Sequence, residues 1–184
     1  MAIPIPAEER VRARLAIVDE HIACENRHDL EGVMATFGAD ARFEDEPWND
    51  RRSGRDAVRT YYTETLRALP DLVIEVMRRH VAADTLTLEV TIRGTHGGEW
   101  RGLPATGRPV AFPLCAVYEF DEADRLLGER VYYDRAAVLG QLGLFHEPAT
   151  GWGRIATALS HPLTIVRAYL GGTRRGGPSR NRGR

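Results

Sequence analysis

Lysine is missing from this chain, and all 25 basic residues among its 184 are arginine. Arginine keeps its proton and cannot form a Schiff base. That excludes imine-forming aldolases, pyridoxal-phosphate enzymes and serine–lysine nucleophile pairs. Cysteine is scarce too, with Cys24 and Cys115 far apart in the sequence. Two lone thiols make no disulfide framework. No apolar run approaches the ~18 residues of a membrane span. The first residues, Met-Ala-Ile-Pro-Ile-Pro ahead of Glu8 and Glu9, have neither the basic region nor the apolar core of a signal peptide. The expected location is the cytoplasm.

Further absences narrow the chemistry. No His-x-x-x-His or Cys-x-x-Cys spacing occurs, and the six histidines are scattered, so no metal site is expected. Gly94, Gly97 and Gly98 do not link a strand to a helix as a phosphate cradle requires. The Gly-x-Ser-x-Gly elbow is missing. No cofactor is expected.

What remains is an ordinary globular composition, 43% hydrophobic and 28% charged, long enough for one domain with an extension. Charge is unevenly placed. Residues 1–150 hold 26 acidic groups and 18 arginines, whereas residues 151–184 hold seven arginines and no acid. The Gly/Arg-rich end, residues 171–184, reads as a disordered tail. Such tails can bind nucleic acid or acidic lipid. A solvated terminus resting on the acidic domain is the favoured reading, with no nucleic-acid partner and membrane contact as the lesser alternative.

Periodicity lays out the elements. Glu8 to His28 reads as a helix, with Val11, Leu15, Val18 and Ile22 spaced four, three and four. Asp29 can cap a short second helix carrying Leu30, Val33, Met34 and Phe37. A strand follows to Pro47, then a loop to Gly54 and a third helix from Ala57 to Leu69. Leu72–Met77, Thr85–Ile92, Val110–Phe120 and Leu126–Tyr133 read as strands, the last two joined by a hairpin turn at Asp121–Asp124. Helices first and hairpin-linked strands after them indicate an α+β domain with one curved sheet. Val110–Phe120 is apolar on both faces, which predicts that the outer face of the sheet is covered.

Asp45 is the most informative single residue. Strand alternation puts Ala41, Phe43 and Asp45 on one face, opposite Arg42 and Glu44. A carboxylate in line with Ala and Phe is costly to bury without a partner. It is a structural group, a proton carrier in an apolar pocket, or a frayed strand end.

This order of elements, with Asp40-Ala-Arg-Phe-Glu-Asp45, Gly54-Arg-Asp-Ala-Val-Arg-Thr-Tyr-Tyr62, Leu69-Pro-Asp71, the loop Gly94 to Arg108 and the ending Tyr132 to Gly143, resembles the SnoaL-like polyketide cyclases. These belong to the superfamily of ketosteroid isomerase and nuclear transport factor 2. The resemblance spans roughly residues 10–145. It implies a cone-shaped α+β barrel, with N-terminal helices on a strongly curved, mostly antiparallel sheet around a pocket, and a homodimer through the sheet's outer face. It divides the chain into a domain over 1–145, a helical extension over 146–170 and the tail over 171–184. Pro162 should split the extension into two short helices, which are expected to dock on the protein.

The resemblance also implies site residues. Asp45 stands where isomerases shuttle a proton, His21 where they place a tyrosine, and Ala116 where they place a protonated aspartate. Asp134 fits the working aspartate of the cyclases, and Tyr118 stands near their histidine. Each has a structural alternative: Asp134 can cap the helix after it, Tyr118 can be core, and His21 can border the apolar stripe. Phe43, Tyr62, His96, Trp48 and Trp100 are the remaining candidates for lining or covering the pocket. The expected function is general acid/base chemistry, without a cofactor, on a hydrophobic carbonyl compound through an enolate. A non-catalytic binding domain and an epoxide hydrolase, the latter using Asp45 and Asp134 around a water, are the alternatives.

Overall fold

The computed structural model describes residues 8–82 and 84–172, with side chains as far as Arg167. Two units divide the chain, Met1–Leu142 and Gly143–Arg184.

In the first unit, α1 (Glu8–Asn26) buries Val18 and Ile22. α2 (Leu30–Thr36) is capped by Asp29, whose carboxylate accepts from Gly32 N at 2.9 Å. Phe37 does not close this helix as the periodicity suggested. Its φ of −80° and ψ of 145° are extended, and it opens β1 (Phe37–Asp45). A single 3-10 turn, Glu46–Trp48, leads into β2 (Asp50–Ser53). The sequence predicts a loop here, because the four polar residues of β2 carry no apolar alternation. α3 (Arg55–Ala68) buries Val58 and Tyr62. Then come β3 (Val73–Val81), β4 (Thr85–Thr95), β5 (Pro109–Phe120), β6 (Leu126–Tyr133) and α4 (Arg135–Gln141).

The six strands form one unclosed sheet in the order β2-β1-β6-β5-β4-β3. Neighbours are antiparallel except β1 and β6, which run parallel with Phe43 opposite Glu129 and Asp45 opposite Val131. Register shifts between Val76 and Arg78 and between Glu119 and Phe120 are bulges of the kind that bend a sheet. One face is apolar: Leu86, Leu88, Val90 and Ile92 of β4 are buried in strict alternation, beside Val110, Phe112 and Ala116 of β5. Each buried Leu, Val, Ile or Phe among these contributes ~1.5–3 kcal/mol of hydrophobic stabilisation. α1 and α3 lie over this face, and the core forms between them.

The loop between β4 and β5 is fixed at its base. Gly97 N and Gly98 N both donate to the carbonyl of Ala68, at 3.0 and 3.3 Å. A Cβ on Gly98 would come within 2.2 Å of the Arg67 carbonyl oxygen, so glycine permits the close approach. This places Trp100 and Arg101 beside the C-terminal half of α3.

In the second unit, α5 (Gly151–Ser160) is capped by Thr150, whose hydroxyl accepts from Gly153 N at 2.9 Å. Pro162 starts α6 (Pro162–Gly172), at the first helical position where its missing N–H costs nothing. The division at Pro162 follows the sequence expectation. The rest of the basic tail, 173–184, lies outside the described residues. Among the described residues no helix is long and apolar enough to cross a membrane.

Candidate active site

A cavity lies between α1, α3 and the apolar face of the sheet. Its interior volume is about 70 Å³, and it opens to solvent. Its walls are mainly apolar, from Ile22, Leu72, Ile74, Val90, Ile92 and Phe112 among others. The ionisable groups that line it are two carboxyls, Glu25 and Glu129, and four phenols, Tyr61, Tyr62, Tyr118 and Tyr133.

At one end these groups converge on His21, which is fully buried. Its Nδ1 lies 2.8 Å from the Thr36 hydroxyl and its Nε2 lies 3.1 Å from the Tyr62 hydroxyl. The same Nε2 is 3.4 Å from Glu129 Oε2 and 3.5 Å from Glu25 Oε2. Tyr62 in turn donates to Glu129 Oε2 at 2.5 Å. The Tyr118 ring meets His21 edge-on, with centroids 5.9 Å apart.

Local geometry explains the convergence. His21 and Glu25 are one helical turn apart on α1 and share a face with Val18 and Ile22. Glu129, Val131 and Tyr133 alternate along the inner face of β6. The β5–β6 register sets Tyr118 directly opposite Glu129, so a phenol and a carboxylate stand side by side.

Burial tunes this group strongly. Glu25 is pushed up to about 8, mainly by desolvation, with His21 opposing and Glu129 adding to the rise. Burial pulls the His21 imidazole down, but the fields of Glu25 and Glu129 outweigh it and hold its pKa above the ordinary value. Tyr62 and Tyr118 rise well above the usual phenol range through burial and the nearby carboxylates. At neutral pH the cavity therefore holds a protonated carboxyl at Glu25 beside the hydrogen-bond acceptor Glu129.

A second polar group stands at the end bounded by the β4–β5 loop. Asp45 is 1% exposed. Its Oδ2 accepts from Arg101 Nη2 at 2.6 Å and from the Tyr61 and Tyr133 hydroxyls at 3.4 Å each. Its Oδ1 has no partner. Arg101 also bonds Asp50, which pairs with Arg52 at 2.7 Å. The guanidinium packs over Trp48 and Tyr61, 5.6 and 5.5 Å from their ring centroids. Desolvation raises the Asp45 pKa, and Arg101 opposes it. Tyr61 and Tyr62 are consecutive on α3 and so ~100° apart. One reaches Asp45 while the other reaches Glu129.

The residues expected from the sequence separate into three places. Phe43, Tyr62, Trp100, Ala116 and Tyr118 line the cavity, and His21 stands behind Tyr62. Asp45 is buried as its alternation predicts, but it is ion-paired and lies behind Tyr61 and Tyr133. Trp48 and His96 each pack edge-on to Trp100. The His96 Nδ1 bonds the Thr106 hydroxyl at 3.1 Å, while its Nε2 has no partner. Asp134 caps α4, accepting from Ala137 N at 3.0 Å, and is not among the cavity-lining residues. Glu25, Glu129, Tyr61, Tyr133 and Arg101 were not singled out from the sequence. Among the described residues no cluster of His, Cys, Asp and Glu is arranged to hold a metal ion.

A helix-lidded cavity on a curved sheet, opened to solvent and carrying buried acid/base groups, agrees with the comparison to known proteins. The family model for SnoaL-like polyketide cyclases matches residues 16–142. The chain belongs to that family. Among solved structures, AclR of Streptomyces galilaeus, a candidate hydroxylase, is 26% identical with a TM-score of 0.63, over 72% of this chain and 97% of AclR. IdmH of Streptomyces antibioticus, a candidate polyketide cyclase, is 22% identical with a TM-score of 0.60, over 71% of this chain and 98% of IdmH. SalBIII, an epoxide hydrolase/cyclase-like enzyme of pyran-ring formation in salinomycin, is 21% identical with a TM-score of 0.58, over 67% of this chain and 92% of SalBIII. The latter two likenesses establish the shared fold. SnoaL-like members host several chemistries, so the reaction has to be argued from the cavity.

Proposed function

We propose that this SnoaL-like protein is a cofactor-independent general acid/base enzyme that acts on a hydrophobic carbonyl compound through an enolate. The observation that carries the reading is the convergence of Glu25 and Glu129 on His21 at the wall of an apolar cavity. Glu129 would take the proton from the carbon next to the carbonyl. Protonated Glu25 and the Tyr118 phenol would donate to the developing oxyanion. In isomerisation the proton returns to a different carbon. In cyclisation the enolate carbon attacks a second carbonyl, and the new alkoxide takes the proton from the acid. Acid/base assistance supplies ~10²–10⁴ in rate, and confinement of the substrate supplies the rest. His21 holds Glu129 and Tyr62 in register.

The same reading assigns the protein to the cytoplasm as a homodimer. On the outer face of the sheet Met77, Pro113, Cys115 and Tyr132 border one shallow apolar depression, and a second copy would cover it.

The test uses 2-tetralone, a hydrophobic ketone with an acidic C–H, in D₂O. Protein-catalysed deuterium uptake followed by NMR supports the proposal if Glu129→Gln abolishes it while circular dichroism stays native. Uptake that persists in Glu129→Gln refutes the assigned base. The pair of carboxyls also suits water addition to an epoxide. Hydration of 1,2-epoxytetralin with no exchange into 2-tetralone would decide for that second reading, and tight binding of both probes without turnover would decide for a binding protein.

A further inference from the structure

His21 belongs to the acid/base centre yet does not line the cavity, standing fully buried behind Tyr62. Its protonation state can be read from the hydrogen bonds around it. Nδ1 lies 2.8 Å from Thr36 Oγ1. A hydroxyl has one proton, and Thr36 donates that proton to the Val33 carbonyl at 2.7 Å. Towards His21 it can therefore only accept, so Nδ1 carries a hydrogen. Nε2 faces the Tyr62 hydroxyl at 3.1 Å, and Tyr62 donates its own proton to Glu129 Oε2 at 2.5 Å. The phenol oxygen too is left as an acceptor towards the ring. Glu25 Oε2 is 3.5 Å from Nε2, too far to donate to it. Both ring nitrogens thus face oxygens that take a hydrogen bond and give none.

Building on the acid/base reading above, we infer that His21 is a buried imidazolium, that Thr36 is the positioning residue which holds it so, and that its charge balances the enolate formed in the cavity. Glu25 of α1, Tyr62 of α3, Tyr118 of β5 and Glu129 of β6 face the ring, and the Phe37 ring of β1 lies 5.4 Å from it. Burial opposes the charge, and Glu25 and Glu129 outweigh it. An unpartnered cation in an apolar interior is costly. Here Glu129 supplies the opposite charge at 3.4 Å.

A count of charges shows what the imidazolium does. Before reaction the centre holds one cation, His21, and one anion, Glu129, beside the neutral Glu25 carboxyl. The C–H bond next to the carbonyl breaks, its proton goes to Glu129, and its electron pair ends on the carbonyl oxygen as an enolate. Glu129 is then neutral. The negative charge has moved onto the substrate, while His21 keeps both its protons. A fixed cation in an apolar enclosure favours that anion over one formed alone. Thr36 acts only through the ring. Without its oxygen, Nδ1–H would lose its acceptor and the neutral imidazole would be favoured.

The test is nitrogen-15 NMR of the full chain labelled in histidine, with the His21 signals assigned through their contacts with Phe37 and Tyr62. At about pH 7, above the ordinary midpoint of imidazole, both His21 nitrogens should show the shift of protonated positions. Thr36→Val keeps the shape and removes the acceptor, and should move the titration about one pH unit lower, the worth of a hydrogen bond to a charged group. Deuterium exchange into 2-tetralone should fall about tenfold in kcat with KM little changed. Thr36→Ala should do the same, and Thr36→Ser should restore both readouts. A bare ring nitrogen on wild-type His21 at about pH 7 overturns the inference, as does a titration unmoved in Thr36→Val and Thr36→Ala. Exchange at full rate with a neutral His21 overturns the inference and leaves the reaction standing. An imidazolium in a protein that exchanges no deuterium overturns the reaction and leaves the charge on His21 standing.

Discussion

Glu25 of α1 and Glu129 of β6 approach the same atom, His21 Nε2, from 3.5 and 3.4 Å. Burial, the His21 imidazole and the Glu129 carboxyl all act on Glu25. In an apolar enclosure the cluster cannot carry two bare carboxylates at little cost, which is why Glu25 retains its proton to about 8.

This arrangement fixes the sign of a pH dependence. The Glu25 carboxyl holds its proton in the folded state up to about 8, whereas its ordinary value is 4.5. Across that window the native state binds more protons than the unfolded state, so stability falls as pH rises. His21, with a raised pKa, acts in the same direction, its contribution lost as pH climbs through its folded value. Thermal melts should show Tm dropping between pH 5 and pH 9, and Glu25→Gln should flatten that slope. Deuterium exchange should decline above about pH 8 in the wild type, where the acid is lost. A slope unchanged in Glu25→Gln would place the protonated group elsewhere.

Removing Arg101 should expose what Asp45 costs. With Asp45 buried and the guanidinium only 14% exposed, loss of the cation strands a carboxylate in the interior, typically a penalty of ~3–5 kcal/mol. Arg101→Gln should therefore melt well below wild type at pH 8. Its deficit should narrow toward pH 4, where Asp45, already raised by desolvation, takes up a proton. The double variant Asp45→Asn/Arg101→Gln should recover much of the loss.

Asp134 separates capping from proton transfer. Its side chain accepts from Ala137 N, and loss of such a cap costs ~0.5–2 kcal/mol. Asp134→Ala should lower stability by that amount. Asp134→Asn, an equally good cap, should restore it. If the asparagine variant is stable yet loses exchange activity, a proton role for Asp134 is established and the assignment to Glu129 has to be revised.

Assembly is checked by a charge on the outer face. Cys115→Arg places a cation among Met77, Pro113 and Tyr132, where a second copy would sit, and like charges would then meet across a two-fold axis. Light scattering should give a dimer for wild type and a monomer for the variant. A monomeric wild type at micromolar concentration would refute the dimer.

Asp45 shows how far the sequence could be read. Alternation with Ala41 and Phe43 identified its buried face. Its partner Arg101 sits in a loop 56 positions away, and nothing local links the two. Glu129 was within reach of the same argument, since it alternates with Val131 and Tyr133 on β6. Glu25 was equally legible, one turn from His21 on the face that carries Val18 and Ile22. Neither stands out by residue type, because charged residues on helices and strands are usually solvated. The parallel pairing of β1 with β6 was not legible, because hairpin signals report only neighbours in sequence.

That pairing has a consequence for how the chain is made. β1 ends at Asp45 and its parallel neighbour begins at Leu126. During synthesis at ~5–20 residues per second, one edge of β1 waits several seconds for its mate, while β2 covers only the other edge. Long-range pairing of this kind slows folding and leaves a sticky strand edge available to neighbouring nascent chains. Glu129 is synthesised about a hundred residues after His21 and Glu25. Assembly of the proposed proton-transfer centre thus coincides with closure of that edge, and a molecule stalled before β6 would lack that centre and be prone to aggregate.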